Sequence, residues 1–75
     1  FNPTTNIRFS LTKMSFTTLK IYDILGREVA TLVNKELSAG RFTYEFDGSG
    51  LSSGIYFYRL QTGEFTQTRK MLLIK

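Results

Sequence analysis

Six carboxylates, Asp23, Glu28, Glu36, Glu45, Asp47 and Glu64, make up the acid–base inventory near neutral pH, because the chain contains no His and no Cys. Such groups could act as a glycosidase pair or as hard cation ligands. A glycosidase pair needs two carboxyl groups held roughly 5 to 10 Å apart across a deep cleft. Here five of the six lie in or beside turn signals, and a 75-residue chain encloses little cavity. A calcium loop at Asp47 and Ser49 would have one carboxylate, with Glu45 directed from a strand, where about six or more oxygens are required. Ser52 and Ser53 have no imidazole to activate them, and a Lys base would have to be desolvated. Without His or Cys there is no disulfide, thiolate nucleophile, zinc site or haem ligation by His. The expectation is a domain that is not an enzyme, with no cofactor and no metal.

Charge narrows the partners further. Ten Lys or Arg stand against six Asp or Glu, a net charge of +4 with a pI near 9.7. The cations are scattered, with only Arg69 and Lys70 adjacent. That is the ordinary solubilising surface of a small domain and predicts no nucleic-acid binding. Attraction to an anionic polysaccharide or lipopolysaccharide would be nonspecific and sensitive to salt.

The elements that must position these residues are short. At 75 residues, 41% of them hydrophobic, the chain supplies one modest core and one domain, residues 1–75. A domain this small without disulfides lies near the lower limit of independent stability, which suggests a piece of a longer protein. The longest apolar runs, Met71 to Ile74 and Ile55 to Tyr58, are far too short to span a bilayer as a helix. The opening Phe1-Asn2-Pro3-Thr4-Thr5 is not a signal peptide, so any export signal would lie upstream.

Thr, Val, Ile, Tyr and Phe are abundant, as on a pleated surface. Alternation marks strands at Ile7, Phe9, Leu11; at Thr17, Leu19, Ile21; and at Phe42, Tyr44, Phe46. In a further strand Tyr56, Tyr58 and Leu60 share one face and Ile55, Phe57 and Arg59 the other; because adjacent rings point apart, Tyr56, Phe57 and Tyr58 cannot form a flat sugar platform. The last strand reads Phe65 to Lys75. All six glycines fall in turn signals between these runs, the spacing of an antiparallel sandwich or barrel. One segment disagrees: Leu25, Val29, Leu32, Val33 and Leu37 follow helical spacing.

Taken in order, Phe1-Asn2-Pro3-Thr4-Thr5, Ile21-Tyr22-Asp23 with Gly26-Arg27-Glu28-Val29, Gly40, Leu51-x-x-Gly54-x-Tyr56 and Lys70-Met71-Leu72-Leu73 resemble the type IX secretion system C-terminal sorting domain over essentially the whole chain. A weaker similarity links them to the Ig-like domain of the flagellar hook-capping family. The resemblance implies an all-β, Ig-like antiparallel β-sandwich of about seven short strands. It also implies that Glu28 to Asn34 is a strand despite its helical spacing, with Val29, Thr31 and Val33 on one face and Ala30 and Leu32 on the other.

In function it implies a C-terminal secretion signal, as found on proteins exported by Bacteroidetes. An upstream cargo in the same chain crosses the periplasm, is carried through the type IX outer-membrane translocon and is freed by a sortase-like peptidase. The cargo is then secreted or held at the cell surface on an anionic lipopolysaccharide. A structural or carbohydrate-binding accessory module is the alternative. The residues expected to matter for the fold or for recognition are Gly26, Gly40, Gly54, Tyr56, Lys70, Met71, Leu72, Leu73, Ile74 and Lys75. Of these, Gly26 suits a tight turn capped by Asp23, and Tyr56 is placed for a hydroxyl bond back to the upstream backbone, as at the corner of Ig-type sandwiches. The run Met71 to Ile74 either alternates as a buried strand or offers an edge for strand addition.

Overall fold

The computed structural model describes residues 3–74 and, among them, six strands and no helix: β1 (Thr4–Leu11), β2 (Ser15–Asp23), β3 (Glu28–Leu37), β4 (Gly40–Asp47), β5 (Gly54–Gln61) and β6 (Thr66–Leu73). Two antiparallel sheets pack as a sandwich, β1-β4 on one side and β3-β2-β5-β6 on the other. The six strands among the described residues agree with the seven or so expected, and the last is shorter than Phe65 to Lys75, running from Thr66 to Leu73. Phe65 instead closes the preceding turn, its carbonyl accepting from the Thr62 amide at 2.9 Å.

Period-two alternation builds the core. On the smaller sheet, Thr5, Ile7, Phe9 and Leu11 pair with Phe46, Tyr44, Phe42 and Gly40 on the inner face, leaving Asn6, Arg8, Ser10, Arg41, Thr43 and Glu45 outside. Phe9 stacks on Phe42 and on Tyr44, with ring centroids 5.4 and 5.9 Å apart. The larger sheet answers with Leu19 and Ile21 from β2, Tyr56 and Leu60 from β5, Val33 and Leu37 from β3 and Leu73 from β6, all buried. Thr17 is buried among them, its hydroxyl donating to the Ser15 carbonyl at 3.2 Å. Two strands cannot cover four, and the inward-facing positions Lys35 and Arg69 on the flanking strands β3 and β6 are accordingly polar and exposed.

β3 resolves the conflict between spacing and strand. Its ladder with β2 pairs Leu19 with Val33 but Lys20 with Thr31, then Ile21 with Ala30 but Tyr22 with Glu28, so Leu32 and Val29 are extra residues at two bulges. The positions opposite the inward side of β2 are therefore Ala30, Val33, Lys35 and Leu37, and the three apolar ones among them stand three and four residues apart, a spacing that imitates a helix. The expected face of Val29, Thr31 and Val33 does not exist: Val29 and Thr31 are exposed, whereas Val33 is buried and Ala30 and Leu32 pack against the core.

Candidate functional site

The β2–β3 turn is built around one carboxylate. Asp23 Oδ1 accepts from the amides of Leu25 and Arg27, both at 2.9 Å, and Oδ2 accepts from Arg27 Nε at 2.8 Å. The Gly26 amide donates to the Asp23 carbonyl at 3.0 Å, and the Asp23 amide to the Arg27 carbonyl at 2.9 Å. These bonds hold the Asp23 carboxyl below its ordinary value of 3.8: the Arg27 amide does most, against an opposing effect of partial burial, with help from the Arg27 guanidinium and the Leu25 amide. The Asp47 carboxylate is occupied in the same way, accepting from the Ser49 amide at 2.9 Å.

β5 starts at a corner. The Tyr56 hydroxyl donates to the Ser52 carbonyl at 2.7 Å, the bond expected of it. Gly54, two residues earlier, has φ of +154°, and a Cβ there would have open space around it. The need for glycine is thus in the backbone, which side-chain-bearing residues rarely adopt at that angle. Gly26 and Gly40 also have positive φ, of 84° and 148°.

β6 is an edge strand bonded to β5 alone, and it alternates. Leu73 is buried opposite Gly54 and Met71 half-buried opposite Tyr56, while Lys70 and Leu72 face outward opposite Phe57 and Ile55. Leu72 is 53% and Ile74, beyond the strand, 55% exposed. Lys75 lies outside the described residues.

Register brings most of these motifs into one place. Asp23 is the partner of Tyr56, and Tyr56 the partner of Met71, so the capped turn, the corner and the last strand meet in a single row across β2, β5 and β6. Gly40 is apart from them. It opens β4 opposite Leu11, next to the Leu37 end of β3, whereas Asp23 closes the other end of β2.

Gly48 is a packing residue that turn chemistry alone does not single out. It is buried, its amide donates to the Pro3 carbonyl at 2.8 Å, and a Cβ would meet Leu73 Cδ2 at 3.2 Å and that carbonyl at 3.3 Å. The end of β4 can approach β6 this closely because nothing projects from it.

No enclosed cleft accompanies these elements among the described residues; the hollows are open surface depressions in a body only 16 Å across its thinnest dimension. Nor do three or more of the described Asp and Glu side chains gather as a metal site.

A family model described as the secretion system C-terminal sorting domain matches residues 2–75. No curated protein and no solved structure matches the chain.

Proposed function

Because the chain belongs to the family of secretion system C-terminal sorting domains, we propose that residues 1–75 form one folded address that the type IX system reads as a surface. The domain is a C-terminal secretion signal for type IX secretion, carried by a secreted or cell-surface cargo protein to which it is attached. The observation that carries this function is the family match over nearly the whole chain. The address acts through shape and not through chemistry of its own. Its cargo reaches the outer-membrane translocon from the periplasm. There a sortase-like peptidase cuts upstream of the sandwich and frees the cargo or passes it to an anionic lipopolysaccharide.

The elements proposed to matter divide by role. Gly26, Gly54 and Tyr56 hold the turn and the corner; Met71 and Leu73 anchor β6; Gly40 shapes the start of β4. Lys70, Leu72 and Ile74, with side chains turned to solvent, are left for contact, and Lys75 extends the same run. Removing the run from Met71 to Lys75 would also remove buried Leu73, so such a deletion confuses unfolding with lost recognition.

The test is fusion of residues 1–75 to the C-terminus of a periplasm-targeted fluorescent reporter. Reporter outside type IX-competent cells and trapped in a translocon-deficient strain is the expected result. Retention in both would overturn the reading that these residues suffice.

A further inference from the structure

Antiparallel sandwiches ordinarily keep the outward face of each sheet polar. The β1-β4 sheet obeys, with Asn6, Arg8, Ser10, Arg41, Thr43 and Glu45 outside. The outward face of the larger sheet does not. Tyr22 pairs with Phe57, and Ile55 with Leu72, across β2, β5 and β6 on that face. The Ile24 side chain, 66% exposed, extends the patch from the capped turn, and Leu72 is 53% exposed. Beside Tyr22 and Phe57 is an open hollow of about 290 Å³, lined also by Asp23, Ile24, Gly26, Arg59 and Thr68. Beyond it, toward the far end of the sheet, the same face returns to Thr18, Gln61 and Thr66, with Phe16 as an exposed apolar residue. A contiguous apolar patch on one sheet face, with a charged border, marks an interaction surface.

The border is mainly cationic. Arg59 lies with its guanidinium 5.1 Å from the Tyr22 ring centroid, and Lys70 stands opposite Phe57. The acidic residues of this face are engaged or distant: Glu28 pairs with Lys20 at 3.4 Å, Glu36 is at the far end opposite Phe16, and Asp23 is spent on its own turn. We propose that this patch is the docking surface for a protein of the translocon whose contacting face has an apolar centre flanked by carboxylates. The proposal deepens the secretion reading and rests on it. A second copy is the wrong occupant, because a two-fold pairing of the patch with itself would set Arg59 and Lys70 against like charges. A sugar ring is also disfavoured, because the Arg59 guanidinium already covers the Tyr22 ring face on which it would stack.

The reporter fusion tests this with three altered tails: Leu72→Thr, the pair Arg59→Glu with Lys70→Glu, and the control pair Arg8→Glu with Arg41→Glu on the polar sheet. Thr is a good strand residue and position 72 is exposed, so the first variant keeps the fold. The patch tails should leave roughly tenfold more reporter in the periplasm, as one strong contact is worth in affinity, with the tail still resistant to protease. The control should be exported like the parent. Should charge reversal cost protease resistance, a photo-crosslinking residue at position 72 replaces it, expected to capture a translocon protein where the same residue at position 8 does not. Patch tails exported as well as the control, or equal capture from both positions, would overturn the patch while leaving the secretion reading intact. A parent tail that stays inside competent cells would instead sink the secretion reading and this proposal with it. Normal export of the patch tails with lost binding to purified lipopolysaccharide would reassign the surface to glycan.

Discussion

The Tyr56 hydroxyl and the Asp23 carboxylate each close a local loop, and their worth can be measured separately from the core. Tyr56→Phe removes the bond to the Ser52 carbonyl and leaves the ring in place. The expected loss is about 1 kcal/mol, the net value of a typical internal hydrogen bond, read as a lower denaturation midpoint with unchanged slope. Asp23 is tested by pH. Its folded-state carboxyl is held below 3.8, so the unfolded chain takes up the proton first as the pH falls. Its contribution is therefore complete above 3.8 and drains away as the pH drops through the depressed folded value. In Asp23→Asn that charge is missing at every pH. The gap in melting temperature between parent and variant should be widest well above 3.8 and close in stronger acid; a gap independent of pH would contradict the carboxylate's role. Both side chains were legible in the sequence, because a bond between near neighbours in the chain can be read from a few residues. Gly48 was not, since the atoms that crowd it belong to Pro3 and Leu73, far away in sequence.

At the level of elements, β3 shows why periodicity misled. Helical spacing at Leu25, Val29, Leu32, Val33 and Leu37 arises here from a strand carrying two extra residues, and a bulge is defined by what the partner strand omits. No single segment records that. The inward set is testable: Val33→Thr places a hydroxyl at a position 3% exposed and should cost about 1 to 3 kcal/mol. Thr31→Val, at an exposed position, should change stability by less than about 0.5 kcal/mol. Equal effects would restore the unbulged register, in which both residues share a face. The alternation of β1, β2, β4 and β5 was readable because those strands run unbulged between turns, and the same holds for Met71 and Leu73 in β6. The outward cluster of Tyr22, Phe57, Ile55 and Leu72 was hidden, because it exists only once β2, β5 and β6 are laid side by side in register.

For the whole molecule, a two-stranded sheet on a four-stranded one gives a thin body whose edges and outward faces hold much of its surface, a shape suited to being recognised. Family membership supplies the address, and the structure supplies the surface on which it can be written. The central claim is that the address is the folded sandwich and not a linear peptide. Leu19 and Leu60 are cross-strand partners, 0% and 2% exposed, at the centre of the core. Replacing both by Ala removes roughly 4 to 10 kcal/mol by simple addition, comparable with the roughly 4 to 11 expected in total for a domain of this length. Neither side chain reaches the outside, so the double variant changes the fold without editing any exposed side chain. Export of a reporter carrying Leu19→Ala with Leu60→Ala is the decisive measurement. A protease-sensitive tail with its reporter trapped in the periplasm is the expected result; a protease-sensitive tail exported at the parental level would contradict the claim.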